Sequence, residues 1–442
     1  MSLTAVAWLT LFVVLVARGF SRPVWTLCAY LMTYFAAPQF WWWGRGSLLG
    51  FTYSWNLWAA LLLAITVGMH WSNRQILSQD ARRSFFCLGL FIINAGLVHL
   101  LLADNPDPSW LQFDLCWKQT ILAILSYYAV QDRSDLRIFL LALFIGCAYV
   151  GVEVVLREAG SIERGRLEGI RLPGASDSNG LSGLLTMGMM IAAYLFLASS
   201  SKWGLKIAVL LGSVLILEVL LRCNSRGAFL ALIAGTGWLL FRAQGASRKK
   251  VLVVCLLGGI LFLMQAKDVK IWERFSSIFV SAEERDASAL GRIETWKAAV
   301  KMIGDYPFGS GGEAAFNSNR GLAYIAQYRD EFRAVHNGFL DIAAGWGVQG
   351  FLLFSLAIGF AVLATHRELI FNRREGTDDD VLLGATVEAV LVSQGVVAVF
   401  ISSLDNEWFY WCITLLLLYG VCRLPEIDGD VEEAEAVDDF DG

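Results

Sequence analysis

The segment from Leu290 to Leu340 is charged and studded with aromatics in a chain that is otherwise mostly apolar. It ends in His336, where the sequence turns apolar again. Histidine is the side chain whose ordinary pKa lets it take up a proton near neutral pH. His336 precedes Asn337, a residue suited to cap the apolar run from Phe339 to Ala364. The positive end of a helix dipole disfavours imidazolium, which keeps the ring in the neutral form that a general base needs. A lone histidine at such a border more commonly only caps or snorkels. The arginines around it argue for more. His70, His99 and His366 lie at span ends or in loops. No second histidine or carboxylate cluster stands at metal-ligand spacing from His336, so neither a metal nor another cofactor is expected.

Guanidinium groups recur near that histidine in the sequence. Leu290 to Ile303 has helical periodicity, with Leu290, Ile293, Trp296, Val300 and Ile303 on one face. It reads as an amphipathic helix lying on a membrane surface, with Arg292 in its first turn beside Gly291. Helix N-termini and arginine forks both favour phosphate oxygens, although by periodicity alone the charges are simply solvated. Arg226 follows Asn224-Ser225 and opens an apolar run containing Gly227, Ala228, Ala231, Ala234 and Gly235, small residues that permit close helix packing. A charge at membrane depth needs a partner, and its default reading is functional. Arg171, Asp177 and Asn179 lead into another apolar run and are expected to line the same cavity, the alternative for Asn179 being only a cap or turn residue. The turn Pro307-Phe308-Gly309-Ser310-Gly311-Gly312 superficially suggests a phosphate loop. It lacks a following Gly-Lys-Ser/Thr and a preceding strand, which excludes a nucleotide site.

The elements holding these groups must be membrane helices. Of 442 residues, 56% are hydrophobic and only 17% charged, and mean hydropathy is +0.55. A spanning helix needs roughly 20 apolar residues, and lipid obliges each backbone polar group to be satisfied within the segment. The chain is therefore an all-α polytopic membrane protein. About thirteen spans are expected (range 11–14), near 3–18, 23–37, 50–70, 84–103, 112–130, 136–156, 178–198, 203–221, 227–241, 250–266, 338–364, 381–403 and 406–422. The first run lacks a basic n-region and a small-residue cleavage site, so it is read as a retained helix. The cysteines, mostly inside apolar runs, act as small hydrophobes.

Lys and Arg in short loops set orientation. Arg18 and Arg22, Arg82 and Arg83, Arg133 and Arg137, Lys202 and Lys206, Arg248 to Lys250, and Arg373 and Arg374 fall on one side, taken as cytoplasmic. The loop with Asp104 and Asp107 falls on the other. Four regions follow: an N-terminal bundle 1–265, an outer loop 266–337 carrying the candidate chemistry, C-terminal helices 338–423, and an acidic tail 424–442. The tail carries nine acids and no Lys or Arg, and is expected to be disordered and cytoplasmic. Trp41, Trp42, Trp43, Phe51, Tyr53, Trp55 and Trp58 read first as an interfacial belt, with stacking on a sugar the sharper alternative.

Together these features resemble the O-antigen ligase and O-antigen polymerase superfamily of bacterial inner-membrane glycosyltransferases. The matching residues are Ser225-Arg226-Gly227-Ala228, the Arg171–Asn179 segment, Arg292 with Trp296, Pro307 with Gly309 and Gly311, and His336-Asn337 after a long outer loop. The N-terminal third, with Gly50-Phe51-Thr52-Tyr53-Ser54-Trp55, resembles ligase-like proteins associated with exosortase systems. The resemblance implies a GT-C-like fold and metal-independent, inverting transfer at the periplasmic face. The donor would be an undecaprenyl-pyrophosphate-linked glycan and the acceptor a hydroxyl of lipid A–core or protein, with no nucleic acid involved. His336 would be the general base. Arg226, Arg292 and, more weakly, Arg171 would hold the pyrophosphate, with Asn337, Asn179 and Trp296 beside them. A polymerase of the same superfamily is the nearest alternative, and a non-catalytic lipid-linked glycan transporter the alternative in a different class.

Overall fold

A computed structural model describes residues 2–47, 49–50, 55–74, 76–265, 287–313, 318–328, 335–402 and 406–420. The acidic tail, Phe51 and Tyr53 lie outside the described residues. The described chain is helical apart from one small hairpin. Its elements are α1 (Leu3–Gly19), α2 (Val24–Phe35), α3 (Trp55–Met69), α4 (Gln79–Leu102), α5 (Pro106–Ala129) and α6 (Arg133–Leu156). The hairpin β1 (Ser161–Glu163) and β2 (Arg166–Glu168) follows, then α7 (Ser178–Leu197), α8 (Trp203–Cys223), α9 (Arg226–Arg242) and α10 (Gly245–Gln265). After these come α11 (Ala287–Asp305), α12 (Asn319–Ile325), α13 (Gly338–Glu375), α14 (Asp378–Phe400) and α15 (Glu407–Tyr419).

Each expected apolar run overlaps a helix, with bounds shifted by several residues in places. Six helices (α4, α6, α7, α8, α13 and α14) are long and apolar enough to cross a membrane, and α1, α2, α3 and α15 are shorter apolar helices. Several start earlier than hydropathy indicates, because the helix runs back to a polar cap. Ser78 caps α4, Asp132 caps α6, and Thr377 with Asp380 forms a capping box on α14. At the centre stands α15, buried on all sides from Trp408 to Tyr419, as an all-round apolar helix must be. It packs against α5, α13 and α14.

One end of the bundle is tied by ion pairs. Arg22 reaches Asp132 at 2.9 Å and Asp135 at 2.6 Å, Arg133 meets Asp380, Arg242 meets Glu388 at 2.5 Å, and Arg367 meets Asp80 at 2.5 Å. Arg133, Asp380, Arg242 and Glu388 are all buried. Removing one member of such a pair costs about 3–5 kcal/mol, since the other charge is left uncompensated. Arg22 and Arg133 are among the bases of the side read from sequence as cytoplasmic.

The opposite end holds a broken helix. Within α13, Gly347 has φ 79° and ψ 169°, so a half-helix Gly338–Trp346 precedes a longer stretch continuing to Glu375. The turn 307–312 is inserted at this break. Ser310 and Gly311 donate their amides to the carbonyl of Gly345, and Val348 donates to that of Pro307 at 2.8 Å. Asn94 of α4 donates to the Trp346 carbonyl at 2.8 Å. These bonds satisfy backbone groups the break sets free, which is what makes an interrupted helix tolerable at membrane depth. A Cβ on Gly309 would lie 2.5 Å from the Gly345 carbonyl oxygen, so this turn needs glycine there. The Gly-rich stretch is thus a structural plug.

Candidate active site

His336 sits between two anchors at the start of the half-helix. Before it, the buried Val335 offers its carbonyl to the indole N–H of Trp296 at 2.9 Å. After it, Asn337 is the N-cap of α13, its Oδ1 accepting the amides of Phe339 and Leu340, both at 3.1 Å. His336 itself has φ 48°, in the left-handed region, where a non-glycine residue carries strain of roughly 1–3 kcal/mol that its surroundings must sustain. Its ring is half-buried. The three other histidines have structural roles. His70 meets the Thr66 carbonyl, His99 meets Ser109, and His366 meets Arg242 at the opposite end.

Arg292 stands four residues before Trp296 on α11, one turn away on the same face and half-buried. The helix carrying both is packed rather than laid on a surface. Its buried stripe is Gly291, Thr295, Ala298, Ala299 and Met302, whereas Val300, expected on the apolar face, is 58% exposed. The small residues of the stripe, Gly291, Thr295, Ala298 and Ala299, admit the close approach of α12 and α13. Trp296 and Ile303 close the flank against Val335, Ala344 and Leu340.

Arg226 is placed by a tight turn. α8 ends on Asn224 with φ 49° and ψ 48°, a left-handed cap that asparagine tolerates, and α9 starts two residues later. The small residues then do what their pattern predicts. A Cβ on Gly227 would touch Phe400 at 3.0 Å, and one on Gly235 would meet Met190 and Ser393, also at 3.0 Å. The same end of α14 reaches the histidine segment, since Gly338 donates its amide to the Ile401 carbonyl at 3.1 Å. Arg226 and His336 therefore both border the Phe400–Ile401 end of α14. Arg222, by contrast, bonds Glu218 on its own helix at 2.9 Å.

Asn179 proves to be a junction. Asp177 takes the N-cap of α7, leaving the Asn179 Oδ1 to accept from the Ser225 hydroxyl at 3.0 Å and from Arg166 at 2.9 Å. Ser225 belongs to the motif read from sequence, whereas Arg166 is not singled out there and is brought in by the hairpin. Arg164 and Gly165 both have positive φ (50° and 75°), the signature of a two-residue type I′ turn. The pairing Glu163↔Arg166 and Ile162↔Leu167 follows. Alternating residues around Arg-Gly were the available signal. Glu168 fixes the other side, accepting from the Ser178 amide and hydroxyl at 3.2 and 2.8 Å. Arg171 lies elsewhere, in a separate cavity with Arg45 and Arg157.

Among the described residues, no group of three or more His, Cys, Asp or Glu side chains is set to hold a metal ion. The arrangement offers one imidazole beside the positive end of a half-helix. Arg226 opens α9, which packs against α14, and Arg292 lies one turn before Trp296, whose indole bonds the residue preceding His336.

Comparison with known proteins bears on two parts of the chain. Residues 211–355 match the family described as O-antigen ligase. Residues 3–161 match a family of unknown function (DUF5935). None of the curated proteins matches the chain.

Proposed function

We propose that the protein, whose residues 211–355 match the family described as O-antigen ligase, is a glycan ligase of the bacterial inner membrane. It transfers a saccharide from an undecaprenyl-pyrophosphate donor to an acceptor hydroxyl at the periplasmic face. The observation that carries this reading is that Arg226, Arg292 and His336 all fall within the matched segment, at one end of one bundle. The His336 ring takes the proton of the acceptor hydroxyl as the acceptor oxygen forms its bond to the anomeric carbon. The bond from that carbon to the phosphate oxygen breaks on the opposite face, inverting the centre and releasing undecaprenyl pyrophosphate. Negative charge grows on the leaving diphosphate, and preorganised guanidinium groups stabilise it there more than in the ground state. Arginine suits this because its fork matches phosphate oxygens and stays charged. The dipole of the half-helix Gly338–Trp346 adds to the same field, as interrupted membrane helices do at anionic substrates.

The test is reconstitution of the purified protein with undecaprenyl-pyrophosphate glycan and candidate acceptors. His336→Ala is expected to lower transfer by about 10²–10⁴-fold while donor binding persists. Transfer at the wild-type rate by that variant removes the mechanism, and retained transfer with impaired lipid movement indicates a transporter. A single transfer to a separate acceptor marks a ligase, and a ladder lengthening on the lipid marks a polymerase.

A further inference from the structure

We propose that the cavity holding Arg171 is a second saccharide subsite, one that takes an acidic sugar of the glycan chain; this rests on the glycosyltransferase reading above. The cavity has a volume of about 240 Å³ and lies between the turn after α2, the end of α6 and the exit of the hairpin. Three guanidinium groups line it, from Arg45, Arg157 and Arg171, along with Phe40, Trp41 and Trp42. None of the three arginines has an ion-pair or hydrogen-bond partner for its side chain among the described residues. Three like charges gathered in one concavity whose lining holds no carboxylate favour an anion.

The aromatic side is rigid. Trp41 is buried and donates its indole N–H to the Phe35 carbonyl at 2.9 Å. Trp42 donates to Glu153 at 3.0 Å, and Tyr149 holds that carboxylate at 2.9 Å from beneath. Half of the Trp42 surface nevertheless remains open, and Arg157 lies over its ring at 5.2 Å from the centroid. Trp42 offers a flat apolar wall beside a guanidinium fork. A pyranose carries an apolar C–H face that such a wall covers, and a uronate adds the planar carboxylate that arginine grips with two donors. Bare phosphate has no apolar face to use the wall. The volume falls below the roughly 300–1,000 Å³ of drug-sized pockets, which suits one sugar ring and not a lipid tail.

Position ties the cavity to the chemistry. Arg166 points to Asn179 and Ser225, next to Arg226, while Arg171 faces the cavity five residues further on. Five residues span at most about 18 Å, so a short oligosaccharide with its reducing end at the reaction centre can place a later sugar here.

The experiment measures binding by calorimetry on the full chain in nanodiscs. The probes are oligogalacturonate, its fully methyl-esterified form, and inorganic phosphate. The acidic saccharide is expected to bind at least tenfold more tightly than the ester, which keeps every ring and loses only the charge. The double variant Arg45→Gln/Arg171→Gln is expected to lose at least tenfold in affinity for it at unchanged melting temperature, and Trp42→Ala several-fold. His336→Ala should bind it as the wild type does. Equal binding of acid and ester, wild-type affinity in the double variant, or complete displacement by an equal concentration of phosphate would each overturn the proposal. The acid–ester comparison needs no variant, so a poorly folding mutant leaves the test intact. If His336→Ala transfers glycan normally, the catalytic reading fails while this binding result stands. If binding fails while His336→Ala is inactive, only the subsite falls.

Discussion

Asn179 shows how one amide can decide where a charge goes. Its Oδ1 accepts from Arg166 on the hairpin and from Ser225 at the head of α9. Replacing it by Leu leaves both donors without that acceptor, at about 1–3 kcal/mol for each that stays buried and unsatisfied. Asn179→Leu is therefore expected to lower both melting temperature and glycan transfer. Asn179→Asp keeps the accepting oxygen and should retain the melting temperature. Equal melting of the Leu variant and wild type would deny the junction its structural role. The sequence makes Asn179 readable as a polar residue lining a cavity. It does not distinguish Arg166 from Arg171, because both sit in one glycine-rich stretch. Which of them turns inward depends on strand pairing across Arg164-Gly165, a long-range outcome of a two-residue turn. The place of His336 at a helix start was legible for the opposite reason: the cap, Asn337, is its own chain neighbour.

At the scale of elements, the break in α13 is the feature hydropathy cannot reveal. The run after His336 reads as one uninterrupted span, yet the chain leaves helical geometry at Gly347 and the turn 307–312 fills the gap. A φ of 79° with ψ near 169° is essentially a glycine conformation, costing about 1–3 kcal/mol for another residue. A Cβ there would also lie 2.6 Å from the Phe308 carbonyl carbon. Gly347→Ala should thus lower the melting temperature and reduce transfer by displacing the half-helix that carries His336. Gly359→Ala, in the regular part of the same helix with nothing within 4 Å, is the matched control. It should be neutral or gain up to about 1 kcal/mol from helix propensity. Similar behaviour of the two variants would show that the break has no structural demand for glycine. The helix α11 taught a related lesson. Its period is correct in the sequence but its buried face is not, because packing chose the small residues Gly291, Thr295 and Ala298 over the bulky ones.

For the whole molecule, the two ends differ in how their charge is spent. At one end Arg22, Arg133, Arg242 and Arg367 are each matched by a carboxylate, so they brace helix to helix. At the other, Arg45, Arg157 and Arg171 form no ion pair among the described residues, and the half-helix N-terminus adds positive potential. The all-helical character was legible from the apolar runs. The pairing that separates bracing arginines from binding ones needed the fold, since partners such as Arg133 and Asp380 stand far apart in the chain. A periplasmic reaction requires the unmatched end to face outward. Ser161 in the hairpin and Lys202 before α8 are exposed on opposite ends. Among the described residues all native cysteines are buried or half-buried, so single introduced thiols can be read above them. In intact cells a membrane-impermeant maleimide is expected to label Ser161→Cys, while Lys202→Cys reacts only after the membrane is permeabilised. The reverse pattern would turn the candidate site toward the cytoplasm, where no acceptor displayed beyond the membrane could reach it.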